Sequence, residues 1–245
     1  MDDSELAAVL ATRAGQLLLD VRERYADAEQ GQRRAAGDRE SHEYLLAELH
    51  SARPTDVVLS EEGRDDRARL AADRVWIVDP LDGTREFAEF RDDWAVHVAL
   101  WESGDLTAGA VALPASDVTF ATPTMSLPPA PDGRLRMVIS RTRPPAWTEE
   151  VAGTLGADVL LMGSAGAKAM AVVQGHAEIY LHAGGQYEWD SAAPVVVARA
   201  AGLHTSRIDG SPLRYNRRDL LLPDLLVCRP ELAQRVLAAV RAAVR

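Results

Sequence analysis

The sequence predicts a mixed, layered α and β architecture, and three observations carry that prediction. Apolar residues at helical spacing open the chain, short apolar runs follow one another through the rest of the first half, and the second half alternates strand with helix. Leu6, Val9, Leu10, Ala14, Leu17, Leu18 and Val21 make one face of an amphipathic helix over residues 4–24. A second helix is predicted over residues 40–50, stopping ahead of Pro54. Val57-Val58-Leu59 reads as a strand entering Ser60-Glu61-Glu62, and further strands are predicted over residues 75–78, 94–101, 107–113 and 117–121. The segment "PTMSLPPAPDGR", residues 123–134, reads as a linker because of its prolines and Gly133. Beyond it come predicted strands at 136–140, 158–162, 177–182 and 225–228, and helices at 146–155, 165–174, 192–201 and 231–244. The expected organisation is one unit of 245 residues with sub-lobes 1–130 and 131–245.

Composition narrows the function classes. The net charge of −10 argues against a general affinity for nucleic-acid polymers or anionic membranes, both of which need a basic footprint. An anionic small molecule stays open, because bound cations can reverse a local field. The single Cys228 excludes an intramolecular disulfide and a multi-cysteine zinc site. No apolar run approaches the ~18 residues of a membrane span, and "MDDSELAAVL" has no basic region ahead of an apolar one. A cytoplasmic setting is the expectation.

Three acidic groups stand at strand or loop ends. In "WIVDPLDGT", Pro80 biases Asp79 towards extended backbone and Gly83 tolerates dihedrals closed to other residues. Asp79 and Asp82 can thus be presented together where the strand ends at Val78, with Thr84 opening whatever follows. Taken singly, each Asp is an ordinary turn or N-cap residue. Two carboxylates held so rigidly need an offset to their repulsion, and a divalent cation supplies one. "LSEEG" places Glu61 and Glu62 after a short strand, and "YEWDSAAP" places Asp190 ahead of a helix opening at Ser191. Together the three make an all-oxygen Mg²⁺ site plausible in chemistry, although spacing leaves open whether they converge. His97, His182 and His204 fit packing roles in or beside strands. "MGSAG" fails as a serine-hydrolase elbow, since Met162 stands where the first glycine belongs.

"LSEE", "WIVDPLDGT" and "EWDSAAP", in that order, resemble the signature of the metal-dependent, lithium-sensitive phosphatases of the inositol monophosphatase superfamily. The likeness runs over essentially the whole chain. It implies the αβαβα sandwich of the inositol monophosphatase and fructose-1,6-bisphosphatase type. By the same resemblance Glu61, Asp79, Asp82, Asp190 and the carbonyl of Leu81 match metal ligands for two or three Mg²⁺. Asp38 and Thr84 match the pair that orients or deprotonates the attacking water, and Glu62 assists it. Gly83 and Thr84 match the backbone donors to phosphate, and Asp190 also faces the substrate. The implied reaction is direct hydrolysis of a phosphate monoester by a metal-activated water.

"GSAGAKAMAVVQGHAEIYLH", "VISRTRPP", "HAGGQYEWD" and "DGSPLRYN" are similar to the CysQ-type 3'(2'),5'-bisphosphate nucleotidase branch, which serves sulfur metabolism. That branch implies contacts to a nucleotide substrate from Ser140, Arg141 and Arg143, and from Gly163, Ser164, Ala165 and Lys168. A surface lysine on the 165–174 helix is the alternative for Lys168. The carboxylate that holds inositol hydroxyls in the inositol phosphatases falls at Ala183, with Glu188 and Glu178 as the nearby acidic alternatives. The expected activity is removal of the 3'-phosphate of 3'-phosphoadenosine 5'-phosphate. The alternatives are inositol 1-phosphate or fructose 1,6-bisphosphate as substrate, or a catalytically silent binding module. Members of this superfamily include homodimers and monomers, so a homodimer is compatible with the resemblance.

Overall fold

Alternation of side chains along the strands divides the interior into separate apolar layers. The computed structural model describes residues 1–65, 67–123, 126–129, 131 and 133–244, so the proline-rich segment at 123–134 lies partly outside the described residues. Helices α1 (Asp3–Arg24) and α2 (Gln30–Ala52) precede a first sheet of β1 (Val57–Ser60), β2 (Arg74–Asp82), β3 (Ala95–Glu102), β4 (Asp105–Leu113) and β5 (Val118–Ala121), with α3 (Thr84–Ala88) following β2. A second sheet contains β6 (Leu135–Ser140), β7 (Ala157–Met162), β8 (Ile179–Tyr187), β9 (His204–Ser206) and β10 (Leu221–Cys228). Helices α4 (Thr148–Leu155), α5 (Ala165–Val173), α6 (Glu188–Ala200) and α7 (Ala233–Ala243) complete the chain.

The first sheet runs in sequence order, β1 parallel to β2 and the remainder antiparallel. The second has the order β7-β6-β8-β10-β9. Trp76 and Val78 of β2, with Val96, Val98 and Leu100 of β3, face α1 and α2. The intervening residues Val75, Ile77, Ala95 and Ala99 face α5 and α6, against which Tyr180, Leu225 and Val227 of the second sheet also pack. Met137, Ile139, Leu226 and Cys228 turn the other way, onto α4 and α7. The result is the αβαβα sandwich that the resemblance implies.

Three local departures from the sequence reading bear on the carboxylates. The strand expected to end at Val78 continues to Asp82, with a register shift against β3 between Asp79 and Asp82. The "DPLD" stretch is therefore a bulged strand end, which bends the backbone and re-aims its side chains. The second helix starts at Gln30, ten residues before its expected first residue, and this sets Asp38 in the middle of α2. Helix α6 starts at Glu188, so Asp190 lies within its first turn instead of preceding it. Neither β9 nor α3 was expected from the sequence pattern, since each is too short to show a period.

One buried link ties the β1–β2 connection to the C-terminal half. The Arg69 guanidinium, 1% exposed, donates to Asp65 and to Oδ1 of Asn216 at 2.9 Å, and Asn216 Nδ2 donates back to the Arg69 carbonyl at 3.0 Å. The backbone N–H groups of Asn216 and Arg217 donate in turn to the fully buried Glu188 carboxylate at the start of α6. Arg69→Met leaves Asn216 and Asp65 without their buried donor, and urea unfolding should show a loss of about 3 kcal/mol. A loss below about 1 kcal/mol would mean that the link does not hold the halves together.

Candidate active site at the carboxylate cluster

Asp79, Asp82 and Asp190 come together, each offering a carboxylate oxygen within 4.8 Å of the others. β2 supplies the first two and α6 the third, so the cluster exists only when the first sheet and the central helical layer are packed. Backbone anchors fix each side chain. Asp79 Oδ1 accepts the Leu81 N–H at 3.0 Å, and Asp190 Oδ2 accepts the Tyr187 N–H at 2.5 Å. Ser41 of α2 donates to the Pro80 carbonyl at 2.7 Å, and Gly37 approaches Leu81 so closely that a Cβ would sit 2.8 Å from its side chain. Gly83, at φ +90°, makes the turn from β2 into α3.

Asp82 is the most heavily supported member. Its Oδ2 accepts the Ser164 hydroxyl at 2.5 Å and the Gly166 N–H at 2.7 Å, both from the start of α5. The His97 Nε2 stands 3.2 Å from the same oxygen, an ion-pair contact. The opposite ring nitrogen of His97 lies 3.0 Å from the Trp189 carbonyl. His97 thus touches both Asp82 and the residue beside Asp190, a role that goes beyond the core packing expected of it. Gly166 is required by this contact, since a Cβ there would lie 2.1 Å from His97 Nε2. Gly163 is likewise pressed against Glu86, 2.2 Å from where its Cβ would be.

The cluster forms one end of a cavity of about 230 Å³. Of the residues predicted for the site, Glu61, Asp79, Leu81, Asp82, Gly83, Thr84, Ser140, Gly163, Ser164, Ala165, Lys168 and Asp190 line it. Asp38, Glu62 and Arg141 do not line it. Arg141 is held instead by Glu86 at 2.7 Å and Glu89 at 2.6 Å, and the arginines that line the cavity are Arg85 and Arg143. Lys168 is not the surface lysine of the alternative reading. It is 4% exposed, donates to the Gly163 and Ser164 carbonyls, and lies 5.4 Å from the Tyr180 ring centre. Neither Glu178 nor Glu188 supplies an acidic group at the cavity. Glu178 pairs with Arg136 and Glu188 with backbone N–H groups. Tyr180, His182 and Gln186 of β8 are lining residues that the sequence reading did not assign to the site.

Electrostatics reflect the crowding. Unit charges this close repel by about 3–4 kcal/mol per pair at an effective dielectric near 20. Burial, then the neighbouring Glu61, Asp82 and Asp190 charges, push Asp79 well above the usual carboxylate range. Burial and Asp82 raise Asp190 to about 6. Partial desolvation, then Asp190, also raises Glu61. Burial raises Asp38 to about 7, with help from the Glu62 charge. Asp82 goes the other way: burial opposes ionisation, but His97, Lys168 and the Ser164 hydroxyl hold it below the usual range. Burial lowers Lys168 to about 8, against the pull of Asp82. A buried, all-oxygen donor set with excess negative charge suits a hard divalent cation.

These shifts give a sign for pH dependence. Carboxylates raised in the fold favour the protonated state, so the stability they permit is full below about pH 4 and falls as pH rises through about 7. Metal-free protein should melt several degrees lower at pH 7.5 than at pH 5.5, as read by thermal unfolding in chelator. A melting temperature that rises over that interval would contradict the crowding.

The Inositol monophosphatase family description matches residues 2–126 and 135–245. A 3'-phosphoadenosine 5'-phosphate phosphatase of Mycobacterium bovis is 53% identical over 242 residues, covering 95% of this chain and 91% of the relative. The 3'(2'),5'-bisphosphate nucleotidase CysQ of Escherichia coli is 31% identical, covering 76% of this chain and 81% of the relative. Among solved structures, CysQ of Bacteroides thetaiotaomicron superposes with a TM-score of 0.77 at 27% identity, covering 93% and 97% of the two chains. A Thermotoga maritima inositol monophosphatase gives a TM-score of 0.80 at 19% identity, covering 100% and 98%, and bears on the fold alone. The carboxylate cluster, the layered sandwich and these matches agree, and the chain belongs to the inositol monophosphatase family.

Proposed function

We propose that the protein is a Mg²⁺-dependent phosphatase that removes the 3'-phosphate of 3'-phosphoadenosine 5'-phosphate, giving AMP and phosphate. The observation that carries the substrate is the 53% identity, over 95% of the chain, to a relative named for that activity. The cavity supports it. A bisphosphate needs cationic groups besides those at the reacting phosphate, and Arg143 and Lys168 line the same cavity as the carboxylates. Ala183, where an inositol-binding carboxylate would fall, is apolar.

Glu61, Asp79, Asp82, Asp190 and the Leu81 carbonyl would hold two or three Mg²⁺ ions. When bound, these ions supply Lewis acidity, lowering the pKa of water and offsetting charge on the phosphate. The chain's own residues do the positioning. Gly83 and Thr84 offer backbone N–H groups to the phosphate. Asp38 titrates near neutrality and, through Thr84, which lines the cavity, would take the proton of the attacking water. Burial raises the Asp38 carboxyl, and the Glu62 charge adds to the shift. Ser164 and Gly166 hold one oxygen of Asp82, and its other oxygen would be available to a cation. Ser140 and Arg143 face the far phosphate, while Arg141 braces α3 through Glu86 and Glu89. Among the described residues no helix is long and apolar enough to cross a membrane, and a cytoplasmic setting fits a nucleotide substrate.

The deciding experiment measures phosphate release from 3'-phosphoadenosine 5'-phosphate, inositol 1-phosphate and fructose 1,6-bisphosphate in Mg²⁺, with and without Li⁺. The bisphosphate nucleotide should show a kcat/KM at least about tenfold above the others, and Li⁺ should inhibit. Equal or faster turnover of inositol 1-phosphate would refute the nucleotide assignment.

A further inference from the structure

Glu61 differs from the other acidic residues at the cavity in what carries it. Asp79 and Asp82 sit on β2 and Asp190 on α6, whereas Glu61 opens a stretch, residues 61–64, that is exposed and belongs to no helix or strand. A stretch of that kind opens easily and fixes a side chain poorly by itself. Charge works against it as well. After burial, the Asp190 charge is the largest influence raising Glu61, and like charges push apart.

Contacts at both ends of the stretch supply the missing restraint. At the near end the Glu61 N–H donates to the Val78 carbonyl at 3.4 Å, and the His42 ring lies 2.9 Å from the Ser60 hydroxyl. At the far end the Asp65 carboxylate accepts Arg69 Nε at 3.1 Å and Nη2 at 2.9 Å, while Arg69 Nη1 donates to Asn216 Oδ1 at 2.9 Å. The N–H groups of Asn216 and Arg217 donate to Glu188 at 2.7 and 2.8 Å, and Glu188 stands two residues before Asp190 on α6. A line of hydrogen bonds therefore joins the stretch that carries Glu61 to the helix that carries Asp190. The helix is the fixed end, since its Ala192, Ala193, Val195 and Val197 are fully buried in the central layer.

Asn216 is the joint in this line. It stands at φ +56°, in the left-handed region that glycine enters without steric cost and asparagine tolerates. What its side chain adds over glycine is a matched amide. Oδ1 accepts from the Arg69 guanidinium and Nδ2 donates to the Arg69 carbonyl at 3.0 Å. Neither Asn216 nor Arg69 lines the cavity of the carboxylates, so they act there only through other residues. We propose that Asn216, through Arg69, is a positioning residue that pre-organises Glu61 as a ligand of the cation site. This goes beyond the stability of the link and rests on the metal-site reading above.

The test follows Mn²⁺ uptake by the metal-free protein with electron paramagnetic resonance. Asn216→Gly keeps the backbone conformation and the N–H to Glu188 and removes only the amide. It should raise the half-saturating Mn²⁺ concentration about tenfold, the usual result of losing an outer partner of a metal ligand, with the circular dichroism spectrum unchanged. Arg69→Lys keeps the charge against Asp65 but lacks the second arm that reaches Asn216. It should weaken uptake at least about threefold, and it carries the test if Asn216→Gly does not fold. Coupling separates positioning from general loosening. In a Glu61→Gln background, Asn216→Gly should change uptake by less than about twofold, because the ligand it acts through is already impaired. Wild-type affinity in both variants, or a loss by Asn216→Gly as large in Glu61→Gln as in the wild type, would overturn the positioning role and leave the cation site standing. A wild type that takes up no Mn²⁺ overturns both.

Discussion

Bringing the carboxylates of Asp79, Asp82 and Asp190 within 4.8 Å of one another is unfavourable in itself, and much of the surrounding structure exists to make it tolerable. The repulsion is met in two ways. Fixed groups answer Asp82: the His97 ring, the Ser164 hydroxyl, the Gly166 N–H and, at longer range, the Lys168 ammonium. Asp79, Asp190 and Glu61 have less support, and their proton affinities rise accordingly. That imbalance is what a divalent cation site needs. One carboxylate is locked in place as an anion, and the others would give up protons to a bound cation.

The packing follows from the same constraint. Asp82 is gripped by the first turn of α5, and α5 can approach only because residue 166 has no Cβ to meet His97. Gly163 has no Cβ to meet Glu86, which lets the "GSAG" turn close over the strand end, and Lys168 holds the carbonyls of that turn from behind. The segment read from the sequence as a substrate loop thus braces Asp82. The central layer of α5 and α6, sandwiched between the sheets, brings Asp190 to the β2 bulge. The Arg69–Asn216–Glu188 link fixes the same junction from the side.

The layered fold and the carboxylate cluster were legible in the sequence, because "DPLDGT" and "EWD" concentrate acid, proline and glycine where ordinary turns need far less. The lining residues of "GSAGAK" were legible through resemblance, although not their bracing role. What was hidden depends on contacts between distant segments. His97 sits in an alternating apolar strand and looks like any packed histidine until α6 delivers the Trp189 carbonyl to one side of its ring. Arg141 and Arg143 are indistinguishable in "SRTR" until Glu86 and Glu89 of the α3 region claim the first. The start of α2 at Gln30 was missed because its first turns carry few apolar residues, with Arg33 buried through bonds to four carbonyls. Gln186 left one trace, the unusual pair Gly184-Gly185 inside a strand, which marks a bulge.

The central claim is that the buried carboxylates form a divalent cation site, and direct binding tests it without reference to any substrate. Titration of the metal-free protein with Mn²⁺ at pH 7.5, followed by electron paramagnetic resonance, reads the free ion as it is taken up. The account predicts saturable uptake by the wild type. Asp79→Asn and Asp190→Asn should each weaken it by at least about tenfold, since each removes a charged ligand, with the circular dichroism spectrum unchanged. Uptake of equal strength in the wild type and both variants would contradict the account.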